Sequence, residues 1–222
     1  MLNEIKKAFK NNSKILIISL VIFMGCLFAG YFLKPYLYDF FNPVAQKLTD
    51  DVKKGVISLT FQDIFLNNIM IVFKMYIFGI ICCTSVFILA FNGFFLGYFI
   101  GTGDSLYHML PLIVPHALFE IPSCILGCAA GFILFIFIFR VFDNCLFPDY
   151  EFISQKCGRI VLKEEKIPFS EKFYYAIEKN FDKLKESLIL LGVSIILMII
   201  AGIIEVYITI GLAQMFFSIF GY

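Results

Sequence analysis

The sequence has few charged residues, and this scarcity excludes an ordinary soluble domain. Lysine, arginine, aspartate and glutamate together make up 16% of the 222 residues, whereas 60% are hydrophobic. A soluble globular domain has about a quarter charged residues and nearer half apolar ones. The net charge is only +1, and no basic stripe with interleaved aromatics occurs, so we predict no nucleic-acid partner.

Recognisable motifs for catalysis and metal binding are also missing. Neither of the two histidines belongs to an HExxH motif, and no GxSxG motif or pair of catalytic carboxylates occurs. Seven cysteines are present, and Cys124 and Cys128 share a helix face, but no further cysteine or histidine follows at the spacing of a zinc site. We therefore interpret the cysteines as small hydrophobic residues and predict no catalytic residue, no metal and no cofactor.

Long apolar runs are what the sequence has in quantity, and they predict a polytopic membrane protein. A hydrocarbon core of about 30 Å is crossed by about 20 helical residues. Residues 64–101 would form a helix about 57 Å long, so we predict two spans there, with a tight reversal near residues 79–85. The predicted spans lie near residues 15–33, 64–83, 86–103, 117–139 and 188–210.

The distribution of basic residues predicts the orientation of these spans. Four lysines precede the first span, and the polar loop 140–186 carries nine basic residues. Such segments tend to stay in the cytoplasm, so we expect a cytoplasmic N-terminus and an extracytoplasmic C-terminus in the cell membrane. The first apolar run is longer than that of a signal peptide and no convincing cleavage pattern follows it, so we interpret it as an uncleaved anchor.

Two further helices are predicted outside the spans. Asn42 followed by Pro43 is typical of a helix start, and apolar residues then recur at helical spacing, which predicts an extracytoplasmic amphipathic helix over residues 43–58. Another helix begins at Pro168 and Ser170 in the cytoplasmic loop. Each could pack against the bundle and lipid headgroups or could dock a partner. The predicted fold is therefore all-α, a single transmembrane helical bundle of about five spans with an outer amphipathic helix and a helical cytoplasmic loop.

Small residues at helical spacing predict close helix packing. One face of the fourth span carries His116 and Glu120, followed by Ser123, Gly127 and Gly131. A similar series on the third span consists of Gly93, Gly97 and Gly101. Because such series let helix backbones approach closely, we expect the two to contact each other.

Polar residues inside the spans predict a network in the outer half of the bundle. An ionisable group in a membrane costs several kcal/mol unless it is hydrated or paired. Its predicted members are Asn67, Asn68, Asn92, His116, Glu120 and Glu205. Two interpretations stay open: a structural network that fixes helix packing, or a site such as a metal centre, a proton relay or a hydrolytic centre.

Four stretches of the chain resemble the stage II sporulation protein M family of membrane proteins. These are FLNNIMIVFKMYIFGI, FNGFFLGYFIG, LPLIVPHALFEIPSCILGCAAG and AGIIEVYIT, which occur in the family's order between residues 65 and 209. Ala117 departs from the pattern, which has glycine after the histidine. The recurring positions of the family match at Asn67, Asn68, Asn92, Gly93, Gly97, Pro115, His116, Glu120, Gly127, Gly131 and Glu205.

The resemblance implies a non-catalytic membrane scaffold of a peptidoglycan-degrading complex that acts in engulfment during endospore formation. The implied partners are the lipid bilayer and the cell-wall hydrolases called stage II sporulation proteins D and P, and a homo-oligomer is left open. One alternative is a membrane component of a transport, maturation or immunity system of the circular-bacteriocin type that works with an ATPase. The other is an intramembrane hydrolase that uses His116 and Glu120.

Overall fold

All regular secondary structure in the described part of the chain is helical, which confirms the predicted fold class. The computed structural model describes residues 2–53, 61–81, 84–102, 106–158 and 167–209, and also 211, 212, 215 and 218. A π-helical turn, Glu205–Thr209, continues the last helix. The helices are α1 (Leu2–Asn11), α2 (Ser13–Phe32), α3 (Lys34–Lys53), α4 (Phe61–Phe78), α5 (Thr84–Thr102), α6 (Leu106–Leu146), α7 (Tyr150–Cys157) and α8 (Phe169–Ile204).

The long helices are apolar enough to make this a multi-pass membrane protein. Helices α2, α5, α6 and α8 each contain a stretch that can cross a membrane, and α4 adds a shorter apolar stretch, Leu66–Phe78. Helix α6 has 41 residues and α8 has 36, which correspond to lengths of about 61 and 54 Å. Both therefore exceed a hydrocarbon core of about 30 Å.

Helices α2 and α5 run parallel and touch through glycine. A Cβ atom built at Gly97 would overlap the carbonyl oxygen of Leu27, and one at Gly30 would overlap that of Phe94. A Cβ at Gly93 would lie 2.8 Å from the carbonyl oxygen of Phe23. Only glycine permits this separation, because any side chain would push the two backbones apart.

Helices α6 and α8 form an antiparallel pair joined by serines. The Ser123 hydroxyl donates to the carbonyl of Ser194, and the Ser187 hydroxyl donates to that of Ala130, each at 2.7 Å. The pair continues past the apolar segment, where Val141 of α6 packs near Ala176 of α8. This pairing gives the bundle its longest continuous contact.

The two glycine series do not face each other, contrary to the prediction. The α5 series packs on α2, whereas Gly127 and Gly131 of α6 face α4, with Val72 and Met75 as neighbours. Gly79, just after α4, meets the backbone of Gly131. Helix α2 has a glycine of its own, Gly30, opposite α5, so α2 and α5 pack closely together. The α6 series therefore contacts α4 instead of α5.

A polar cluster joins α1 and α2 to α8 on what we call the N-terminal side of the bundle. The buried carboxylate of Glu186 accepts hydrogen bonds from the amides of Asn11 at 2.5 Å and Asn12 at 2.9 Å, and from Lys183 at 2.8 Å. On the opposite side, the far side, the Lys34 ammonium donates to the carbonyl of Gly101 at 2.6 Å. That carbonyl lies in the last turn of α5, where the helix dipole favours a cation.

The predicted helix start at Pro43 is wrong. Helix α3 begins at Lys34 and continues through Pro43 to Lys53, and residues 54–58 of the predicted segment lie outside the described ones. Pro35, in the first turn, supplies the helix start, since a proline there costs no hydrogen bond. Pro43 instead deprives the carbonyl of Asp39 of its helical donor, which an exposed helix tolerates because water replaces it.

The described part of the loop 140–186 is mostly helical, as predicted, and the helix predicted to begin at Pro168 and Ser170 begins at Phe169 and continues without a break into the last span. Helix α6 continues to Leu146 and α8 begins at Phe169, with α7 between them. Asp149 caps α7 by accepting from the Phe152 amide, and Gly158 ends it with φ 68°, a left-handed conformation that favours glycine. The predicted loop is thus mostly helical among its described residues, because polar helix faces meet water there.

Candidate functional site

The main candidate site is a cavity of about 240 Å³ in the far half of the bundle, which we call the polar cavity. Its polar lining consists of Asn67, Asn68, Asn92, His116 and Glu120. These are five of the six residues of the predicted polar network. The structure thus brings together side chains that lie up to 53 positions apart in the sequence.

Three helices supply these polar groups. Asn67 and Asn68 lie where the apolar stretch of α4 begins, and Asn92 lies in the middle of α5. His116 and Glu120 are one helical turn apart on α6, so they share a face. The parallel course of α4 and α6 sets Asn67 and Asn68 across from this face.

The polar groups surround the cavity and do not bond to one another within the described residues. The amide of Asn92 donates to the carbonyl of Ile88 in its own helix, at 2.7 Å. The His116 Nε2 and Glu120 Oε2 atoms are 3.9 Å apart, which is too long for a hydrogen bond. His116 Nδ1 is buried and has no hydrogen-bond partner in the part of the chain that the structure describes. The interlocked network expected from sequence is therefore replaced by an open polar space.

Glu205, the sixth predicted member, lies beside this space and does not line it. It is the first residue of the π-helical turn, which packs against α6, the helix that carries Glu120. The hydroxyl of Thr209 donates to the carbonyl of Ile204 at 3.1 Å within this turn. Single π-helical turns are frequent at functional sites because they redirect a side chain.

The rest of the lining is apolar and was not predicted. It includes Phe23 of α2, Phe95 and Phe99 of α5, and Cys124 of α6. These residues stand in uniformly apolar runs, where the sequence does not distinguish a cavity wall from a lipid-facing surface. Gly93 was a partial signal for this wall. A glycine lets another helix approach closely, and in the structure α2 contacts α5 at Gly93 through Phe23.

The arrangement can bind a polar molecule or carry a proton, but it does not gather the ligands of a metal. Among the residues that the structure describes, no three histidine, cysteine or acidic side chains come close enough to hold an ion. Ser123, predicted with the packing residues, lies one turn below Glu120 and is fully occupied by Ser194. The role of the polar residues stays a prediction.

Comparison with known proteins places the chain in a family. The family model described as stage II sporulation protein M matches residues 8–210. That range includes all the described helices except the beginning of α1, and it contains every residue of the polar cavity. The four stretches that carry the resemblance in sequence also lie within it.

Two proteins of Methanocaldococcus jannaschii, both named as uncharacterised, are similar to the chain. One is 35% identical over 158 residues, which cover 69% of this chain and 72% of the relative. The other is 28% identical over 232 aligned positions, which cover 98% of this chain and 91% of the relative. No solved structure matches the chain.

Proposed function

Because the chain belongs to the stage II sporulation protein M family, we propose that it is a non-catalytic membrane scaffold of a peptidoglycan-degrading complex acting in engulfment during endospore formation. In this proposal it holds extracytoplasmic hydrolases, the stage II sporulation proteins D and P, at the membrane. A scaffold must present its docking surface in a fixed position. The close glycine and serine contacts between helices supply such rigidity.

The observation that carries the proposal is the anchoring of α3 on the far side. Lys34 holds one end of this helix to the C-terminus of α5. Phe41 is buried one to two turns later against the rings of Phe95 and Tyr98, at centroid distances of 5.8 and 5.4 Å. Tyr36, between these two attachments, is 85% exposed. A fixed helix with an exposed aromatic side chain suits a protein-docking surface.

Co-purification of the two hydrolases with the tagged chain from sporulating cells tests the proposal. We expect Tyr36→Ala to lower their recovery by about tenfold or more, as for an aromatic residue at the centre of an interface. The matched control is Phe169→Ala, since Phe169 is a similarly exposed aromatic residue (72%) on the N-terminal side. Absence of the hydrolases from the unmutated preparation, or equal recovery with both variants, would contradict the scaffold.

We infer that the N-terminal side is cytoplasmic and the far side extracytoplasmic. The lysines of α1 and those of α8, Lys183 and Lys185 among them, lie on one side, where Lys185 pairs with Glu4 at 2.9 Å. Positive charge favours the cytoplasm. A membrane-impermeant thiol reagent should label Tyr36→Cys in intact cells but Lys7→Cys only after lysis. The reverse pattern would overturn the orientation.

The polar cavity favours a second candidate, a membrane component of a transport, maturation or immunity system with an ATPase. A polar space open between helices is what a pathway requires. In this candidate, the N-terminal part of α8 with α7 would contact the ATPase. Co-isolation of an ATPase with the chain, lost on Phe169→Ala and retained on Tyr36→Ala, would support it over the scaffold.

A further inference from the structure

The polar cavity carries acidic groups without a cationic partner. None of the described residues that line it is lysine or arginine. Glu120 lies in its wall, and Glu205 begins the π-helical turn that packs against α6, the helix that carries Glu120. Within the described residues neither carboxyl forms a hydrogen bond, and the His116 Nε2 atom lies 3.9 Å from the Glu120 carboxyl. Two carboxyls in a membrane-embedded bundle repel each other and lack the hydration that stabilises charge.

Hydrogen-bond acceptors in the lining receive no hydrogen bond from a donor among the described residues. His116 Nδ1 is buried and has no partner among these residues, and the Glu120 carboxyl and the side-chain oxygens of Asn67 and Asn68 also accept. Protonation of Glu120 would remove its charge but would leave the imidazole nitrogen unsatisfied. A primary ammonium group carries both a positive charge and three donors, so it matches both deficits.

The size of the polar cavity favours an occupant larger than a bare ion. Its volume of about 240 Å³ exceeds the roughly 150 Å³ of a cavity that accepts benzene. The described residues gather no cluster of metal ligands there. Phe23 and Phe95 contribute apolar aromatic surface to the walls, on which a carbon portion can pack. These features point to a molecule with a carbon portion and a cationic end.

We propose that the polar cavity binds an organic cation with a primary ammonium group. The ammonium lies toward Glu120 and Glu205 and donates to Glu120, His116 and an asparagine oxygen, while the carbon portion packs on Phe23 and Phe95. The same group occurs in soluble amines and in the ethanolamine headgroup of membrane lipids. This site does not depend on the scaffold role, which concerns α3.

Thermal unfolding of the full-length protein, followed by far-ultraviolet circular dichroism, tests the site. In detergent solution we expect ethanolamine to raise the melting temperature by roughly 5–10 °C when present about 100-fold above its Kd. Ethylene glycol, which replaces the ammonium by a hydroxyl, and sodium chloride at equal ionic strength should not do so. In a second arm, nanodiscs of phosphatidylethanolamine are compared with nanodiscs of phosphatidylglycerol.

Variants locate the effect. Glu120→Gln keeps the size of the side chain but removes its charge, so the stabilisation by ethanolamine or by phosphatidylethanolamine should be lost. Glu205→Gln serves as the second variant if Glu120→Gln does not fold. The matched control is Glu178→Gln, because Glu178 is a carboxylate near the surface of the N-terminal side, where it pairs with Lys156.

Each outcome decides the proposal. Stabilisation by free ethanolamine that Glu120→Gln or Glu205→Gln abolishes supports a soluble amine. Stabilisation confined to phosphatidylethanolamine nanodiscs, and abolished in the same way, supports a lipid headgroup. Equal stabilisation by ethylene glycol or sodium chloride, an undiminished effect in the variants, or no effect in either arm overturns it. The hydrolase co-purification is read separately, so failure of one proposal leaves the other standing.

Discussion

The hydroxyl groups of Ser123 and Ser194 each donate a hydrogen bond to the backbone carbonyl of the other residue, both at 2.7 Å. The two hydroxyl oxygens are 3.1 Å apart, and both side chains are completely buried. This reciprocal pair fixes the register of α6 against α8. It therefore also fixes how Glu120, on α6, stands relative to Glu205, at the end of α8.

We predict that Ser123→Ala lowers the free energy of unfolding by about 0.6–1.7 kcal/mol, the range for hydrogen bonds between membrane helices. Ser194→Ala should act similarly, and the double variant should lose about the sum of the two, because each hydroxyl donates to a backbone carbonyl that the other substitution leaves in place. Denaturant unfolding in detergent measures this. Ser170→Ala, at an exposed position of α8, is the control. Unchanged stability in both serine variants would contradict the reciprocal pair.

Gly97→Ala should be strongly destabilising. The added methyl group would overlap the carbonyl oxygen of Leu27, so α2 and α5 must separate, at a cost of about 1–3 kcal/mol or more. Gly192→Ala is the control, since no atom lies within 4 Å of the added methyl and alanine has the higher helix propensity by about 1 kcal/mol. In thermal unfolding, Gly97→Ala should lower the melting temperature and Gly192→Ala should raise it. An unchanged melting temperature for Gly97→Ala would refute the close approach of α2 and α5.

Glu186→Ala should release α1 from the bundle. The substitution removes the side-chain acceptor of Asn11 and one of the two acceptors of both Asn12 and Lys183, which costs about 1–3 kcal/mol. Amide hydrogen exchange should show faster exchange in α1 while α6 stays protected. Glu178→Ala removes an exposed ion pair and should change stability by less than about 1 kcal/mol. If the amides of α1 exchange at the same rate in both variants, the hydrogen bonds to Glu186 do not hold α1 to the bundle.

The attachment of α7 to α8 should weaken in acid. Hydrogen bonds from the Lys179 ammonium and from the Phe152 amide hold the pKa of Asp149 below its ordinary value. A carboxyl with a depressed pKa stabilises the fold above its unfolded pKa, about 3.9, and this contribution is lost as pH falls through the lower folded value. Amide exchange in α7 should therefore accelerate below about pH 4.

Two variants separate the charge of Asp149 from its capping role. Asp149→Asn retains a good helix cap, so α7 should form normally but without the pH dependence. Asp149→Ala should destabilise α7 at every pH by about 0.5–2 kcal/mol, the cost of a lost cap. An acid transition of α7 that persists in Asp149→Asn would assign the pH dependence to another group.

Much of the polar cavity could be predicted, because polar residues in an apolar sequence are conspicuous. Asn92, His116 and Glu120 stand out from their runs, and orientation by basic residues predicted that they share one half of the bundle. Glu205 was predicted within the group but lies beside the cavity, since the π-helical turn that redirects it has no sequence signature. The aromatic walls at Phe23 and Phe95 resemble lipid-facing residues in sequence, so they could not be assigned.

Helix ends were harder to predict than the helices themselves. Pro43 carries a strong local signal for a helix start, yet α3 runs through it because Lys34 and Phe41 attach the helix to α5 before that point. Helix α1 was not predicted, because its short amphipathic pattern does not reveal the partner that stabilises it. That partner is Glu186, 174 positions from Asn12.

The sequence by itself determined that this chain is an all-helical membrane protein with polar residues concentrated in one half, because hydrocarbon admits helices whose backbone groups are all satisfied and expels charge. Only the tertiary structure decided which helices touch. Both glycine series were equally able to receive a neighbour, and the choice depended on the complementary surfaces of α2 and α4. The polar cavity exists because that choice leaves the polar faces of α4, α5 and α6 around a common space.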